Sequence, residues 1–313
     1  MTTPLHTNGT ASGAPPPLHL VPSLGPSPTG GPLAAPPRAG AAPITLTGGV
    51  DPYAPIEKRS LFAADAMRSR AFTVRLEDAA QTTGWREVGV VSADYLLVPN
   101  REVVSMAADV VAASGLPFAE ERVHFDGKRF AYALAAKTHP LVDVRVGDSV
   151  GLGLLFENSY DGSKKLSASL FAYRLACLNG MLVPSLFRRV TFKHSRSNEG
   201  WGEDVQRALA MLASAPAGLE RFATAGRALS SMRVTASRLR EVRERVVPKL
   251  PVTVWGKVVD RFLLHEDLDG WGLLNAATNV LWHDEKATAA TLSWNEYVST
   301  GLVEYALGQP RSN

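Results

Sequence analysis

The chain has 313 residues, 45% of them apolar and 20% charged, with a formal net charge of +3. That length allows one large domain or two small ones around a real hydrophobic core, and so small a charge excludes a global field that drives the protein onto nucleic acid or membrane, leaving only local patches. The single cysteine, Cys177, excludes an internal disulfide framework and a Cys-based zinc site, while the lack of a long apolar run and of a signal-peptide layout predicts a cytoplasmic protein with no membrane attachment.

Residues 1–50 are a low-complexity run of Pro, Gly, Ala, Ser and Thr with Arg38 as the ordinary charge. Prolines remove amide donors, and little apolar surface is present to offset ordering entropy, so this tail is expected to be disordered. Folded sequence is expected from Asp51. A short helix is predicted over Ile56–Arg70, and an alternating strand over Phe72–Glu77. One or two strands follow over Trp85–Val98. A helix then begins at Asn100, a good N-cap, and ends at Gly115. Phe118–Ala136 alternates on both sides of Asp126-Gly127 and predicts a hairpin with a type I′ turn. Leu141–Phe156 is a further strand, broken at Gly147-Asp148.

A polar turn, Glu157–Lys165, comes next, and a helix is predicted around Leu170–Asn179. Leu186–His194 alternates again as a strand. Helices are predicted over Gly202–Ala213 and, as one long basic element, Leu219–Val247, with Pro248 stopping it. Val252–Leu307 reads as helical, anchored by tryptophans 255, 271, 282 and 294. Connections too short for crossover helices make the fold α+β with an antiparallel sheet. The expected regions are a 1–50 tail, a 51–200 α+β core and a 201–313 helical region packed on it.

The most informative chemistry is a basic cluster. Lys164 and Lys165 lie in the polar turn, followed by Arg188, Arg189, Lys193, His194 and Arg196, with Tyr160 and Phe192 interleaved. Cationic side chains track phosphates and aromatic faces stack on bases, which is how single strands are held without reading sequence. The same cations could simply protect an exposed strand edge. The arginines of Leu219–Val247, among them Arg221, Arg233, Arg240 and Arg243, offer a weaker second face.

His265-Glu266-Asp267 and His283-Asp284-Glu285 place potential ligands on adjacent positions, which point about 100° apart on a helix and chelate poorly. No HExxH, EF-hand or GxxxxGK[ST] pattern occurs. No metal, cofactor or catalytic residue is therefore assigned.

Four stretches carry a resemblance: LVPNREVV (97–104), FENSYDGSKKLSASLFAYRLACLNGM (156–181), FKHS (192–195) and WGLLNAATNVLWHD (271–284). Together they resemble the phage/plasmid-related family called domain of unknown function 932, over roughly Val91–Glu285. The turn and the Cys-Asn segment are the most specific part. Tyr160 stands where that family commonly has a His, so no catalytic or metal role is carried to this position; Leu175-Ala176 replace two valines before Cys177. The order helix, hairpin, long strand, helix is also similar to single-strand annealing recombination proteins, which form rings and pair DNA without ATP.

The expectation from residues and resemblance is an ATP-independent protein that binds single-stranded DNA, with strand annealing for recombination or replication of a mobile element, acting as a homo-oligomer. Its nucleic-acid-binding residues would be Tyr160, Lys164, Lys165, Arg188, Arg189, Phe192, Lys193, His194 and Arg196. The alternatives are a metal-dependent nuclease or hydrolase using Asp161, His194, His265 and His283, and a non-catalytic anti-defence factor that docks through the proline-rich tail.

Overall fold

The computed structural model describes residues 44–46, 50–61, 71–136, 138, 140–176, 178–192, 202–264, 267–283 and 289–308, all within one compact unit, residues 38–313. In chain order the strands are β1 (Ile44–Leu46), β2 (Ile56–Ser60), β3 (Ala71–Glu77), β4 (Trp85–Ser92), β5 (Phe118–Phe125), β6 (Arg129–Ala136), β7 (Leu141–Arg145), β8 (Asp148–Ser159), β9 (Ser167–Arg174), β10 (Asn179–Met181) and β11 (Arg189–Thr191). The helices are α1 (Asn100–Ser114), α2 (Gly202–Leu212), α3 (Ala215–Ser231), α4 (Ala236–Glu241), α5 (Val252–Leu263), α6 (Gly270–His283) and α7 (Ala289–Ala306). The fold is α+β, as expected, with a mainly helical C-terminal region.

β2, β3 and β4 form a small antiparallel meander. The large sheet runs β1-β5-β6-β8-β9, with β7 paired to β8 and with β10 and β11 both paired to β9. Among the described residues only the β1–β5 pairing is parallel. β8 is the spine. Val150, Leu152, Leu154 and Phe156 belong to the main core, which also contains buried residues of α1, α2 and α3. On the other face Leu155, Ala131, Ala133, Ala135 and Phe171 pack with Trp282 of α6 and Leu292 of α7. Burial on both faces explains the near-continuous apolar run in β8. Gly153 belongs there because the Phe171 ring occupies the space a side chain would need, approaching an ideal Cβ to 2.2 Å.

Several sequence expectations are corrected. Ile56–Ser60 is a strand, not the start of a helix, because Ile56 to Ser60 pair with Leu76 to Phe72; residues 62–70 lie outside the described residues. Leu170–Asn179 is not helical. Ser167, Ser169, Phe171 and Tyr173 alternate with Ala168, Leu170 and Ala172, and pairing with β8 on one side and β10 and β11 on the other overrides local helix preference. The long basic helix is divided: α3 ends at Ser231, Val234 N–H donates to Leu268 O, and Thr235 restarts the chain as the cap of α4. A π-helical turn, Val242–Val246, completes that segment.

The hairpin at Asp126-Gly127 is present, but among its two central residues only Gly127 has a positive φ, +91°. A type I′ turn needs two successive positive values, so the turn is not of that type. Gly115, at φ +66°, does close α1, whereas its cap is Pro99 and not Asn100. Asn100 is buried, and its Nδ2 donates to Pro52 O while its Oδ1 accepts from Asn158 Nδ2. Asn158 also donates to Val98 O, so one side chain ties β8 to the entry of α1. Replacing Asn158 with alanine strands two buried acceptors and is expected to cost about 1–3 kcal/mol, read from the urea unfolding midpoint.

Candidate nucleic-acid interface

Past β9 the chain turns at Val183, whose carbonyl accepts from Leu186 N–H and Phe187 N–H. It returns as β11, pairing Arg189 with Ser169 and Thr191 with Ser167. This return packs against α2 and α3 because Gly218 of α3 has no side chain: the Phe187 ring lies 2.7 Å from where its Cβ would be. Between the return and the two helices is an open groove of about 850 Å³ whose lining includes Arg188, Arg189, Arg207 and Arg221.

The four arginines differ in their engagement. Arg188 and Arg221 are exposed and form no ion pair among the described residues. Arg207 on α2 donates to Thr191 O at 2.8 Å and pairs with Asp204 at 3.2 Å. Arg189 contacts Glu157 at 3.3 Å and Glu296 at 3.2 Å. Glu157 is itself buried and also pairs with Lys164 at 3.4 Å. Glu157 thus joins the polar turn to the groove, drawing Lys164 and Arg189 together, while Lys165 is exposed beside them. Charge density at this edge of the sheet is high although the whole chain is nearly neutral.

The two aromatic assignments are corrected. Tyr160 is 1% exposed; its ring meets Phe125 edge-on and its hydroxyl accepts from Asn100 N–H at 3.0 Å. Burial holds its phenol above the ordinary value. Phe192 is 2% exposed, with the Arg207 guanidinium 6.0 Å from its ring centre. Both rings belong to the core, which leaves neither with a face for a base. Lys193, His194 and Arg196 lie outside the described residues.

Arg207 was missed by sequence reasoning, and Arg221 was grouped with the later arginines. Their signal was helical: Arg207 with Met211 and Ser214, and Ala217 with Arg221, recur at three- and four-residue spacing and share groove-facing stripes.

Of the hydrolase alternative's residues, the two that are described, Asp161 and His283, are held by different partners. Asp161 caps its own turn, accepting from Ser163 N–H at 2.9 Å; burial opposes its ionisation, but Ser163 and the nearby Arg129 and Lys128 hold its carboxyl below the usual value. His283 sits at the end of α6, with Nε2 3.0 Å from Asn179 Oδ1 and Nδ1 3.2 Å from an Arg122 nitrogen. His194 and His265 lie outside the described residues.

Architecture and groove together define a mixed α+β protein built on an antiparallel sheet, with arginines concentrated at one sheet edge. Residues 87–298 match the family model described as Domain of unknown function (DUF932), and the chain belongs to that family. No curated protein matches the chain, and no solved structure does. Among the described residues no helix is long and apolar enough to cross a membrane.

Proposed function

We propose that this protein binds single-stranded nucleic acid through its phosphates, without ATP, and holds strands in a state ready to anneal. The observation that carries this reading is the groove lined by Arg188, Arg189, Arg207 and Arg221, two of them exposed and without an ion pair among the described residues. Guanidinium groups match phosphate geometry through forked donors, and phosphate contacts position a strand without reading its sequence. Phe187, the aromatic side chain lining the groove, is 3% exposed and offers no stacking platform. A strand gripped by its backbone alone keeps its bases turned to solvent, which is the condition for pairing with a second strand. Assembly into a homo-oligomer would align successive grooves along one strand. Service in recombination or replication of a mobile element is the part of this reading that rests on the family resemblance.

The test is fluorescence anisotropy with labelled single- and double-stranded oligonucleotides over a salt series without divalent metal. Four neutralised phosphates give a slope of log affinity against log salt of about −3, or about fiftyfold weakening from about 50 to about 200 mM salt. Absence of binding at the lowest salt would reject the proposal. Equal affinity for both duplex and single strand would retain phosphate binding and remove the annealing role.

A further inference from the structure

The face of the large sheet covered by α6 and α7 holds a concentration of unmet hydrogen-bonding capacity. Seven buried side-chain polar atoms find no partner among the described residues, and four of them belong to Arg122, His124 and Trp282. Buried polar atoms in native proteins are nearly all partnered, so such a concentration calls for something that completes it. Arg122 and His124 are two residues apart on β5 and therefore share a face. The Arg122 guanidinium lies 5.4 Å from the centre of the Trp282 ring, which brings these groups into one neighbourhood.

A small cavity of about 10 Å³ opens beside His124 and is lined also by Arg129, Ala131, Glu157, Lys164 and Leu292. Register explains it: His124 pairs with Ala131, which pairs with Glu157. The alanine between them is too short to fill the gap. His124 is 3% exposed, and neither of its ring nitrogens has a partner among the described residues. Lys164 is 34% exposed at its side chain and provides a way in from solvent.

We infer that this cavity is an anion site for one monoatomic anion of chloride size, held by His124, Arg129 and Lys164. The size decides between ligands, since the space accommodates about one water-sized particle and no phosphate or carboxylate. Charge decides the sign. Arg129 and Lys164 line the cavity, and the one carboxylate in its wall, Glu157, is already shared by Lys164 and Arg189. Arg122 and Arg129 form no ion pair among the described residues.

The atoms left unpartnered point the same way. At the cavity itself these are both ring nitrogens of His124, and the imidazole supplies at least one N–H there to donate. Burial disfavours the charged forms of His124 and Arg122, with Asp126 and Glu121 respectively offsetting part of that penalty. A bound anion would offset more of it. A cation in the same place would face two positive side chains, Arg129 and Lys164.

Crystals soaked in bromide test this directly. An anomalous peak within hydrogen-bond distance of a His124 ring nitrogen is the expected result, and ordinary water density there would overturn the inference. In solution, chloride should raise the melting temperature saturably over gluconate at fixed ionic strength, as mass action requires. His124→Leu should abolish that difference. Identical melting in the two salts, or a chloride effect that survives in His124→Leu, also overturns the inference. If that variant does not fold, the bromide map decides by itself.

Discussion

Replacing Asp148 with alanine is expected to destabilise the protein by roughly 3–5 kcal/mol, the cost of removing one member of a partly buried ion pair. Asp148 opens β8 directly after Gly147, whose φ of +78° makes the tight return from β7. Its carboxylate accepts from Arg174 Nε at 2.6 Å and Arg174 Nη2 at 2.8 Å, and from Trp271 Nε1 at 2.8 Å. Arg174 belongs to β9 and Trp271 to α6, so one side chain joins the sheet to the C-terminal helices. Alanine would remove the acceptor of two guanidinium bonds and of the indole N–H beside the core.

The same group predicts a pH dependence. Burial opposes ionisation of Asp148, but the bonds from Arg174 and Trp271, with the charges of Arg174 and Arg145, hold its carboxyl below the ordinary value of 3.8. A depressed folded-state value means the unfolded chain takes up the proton first as acid is added. The stabilisation is thus complete above pH 3.8 and disappears as pH falls through the lowered value. Urea titrations of wild type and Asp148→Asn at a series of pH values should show a gap that is constant near neutrality and narrows in acid. A gap independent of pH down to full protonation would contradict the ion pair's role.

Replacing Arg188, Arg189, Arg207 and Arg221 together with alanine is expected to lower oligonucleotide affinity by about a thousandfold at about 50 mM salt and to flatten the salt dependence, since four phosphate contacts supply that much counterion release. The appropriate comparison removes four exposed arginines elsewhere, Arg233, Arg240, Arg245 and Arg261. Both variants lose the same net charge. If the groove is the site, only the first loses its steep salt slope; comparable losses in the two would assign binding to diffuse charge. Circular dichroism must show both folded, because Arg189 and Arg207 also make contacts within the protein.

Local chemistry was legible where a residue's own geometry decided the outcome. Gly115 and Gly147 both adopt positive φ at the ends of elements, and the alternation around Asp126-Gly127 marked the β5–β6 hairpin. Composition and short connections were enough for the α+β class and for α2 in the helical C-terminal region. By contrast, Ser167–Arg174 mixes good helix formers with aromatics, and only the company of β8, β10 and β11 makes it a strand. Tyr160 and Phe192 illustrate the same limit at the site: an aromatic beside lysines reads as a stacking ring, but burial against Phe125 or beneath Arg207 is a property of the packed chain.

The sequence by itself determined where the chain must turn, which segments carry apolar faces, and that positive charge gathers near the polar turn and the following return strand, because these follow from backbone sterics, periodicity and composition. Tertiary structure alone decided which cations share a surface. Arg207 and Arg221 come from two helices far along the chain, and they meet Arg188 and Arg189 because Gly218 lets the return segment press against α3. It also decided which polar groups lost their water, as His124 did when α6 and α7 covered the sheet. Proximity between distant segments and desolvation are both consequences of packing, and neither is encoded in any local run of residues.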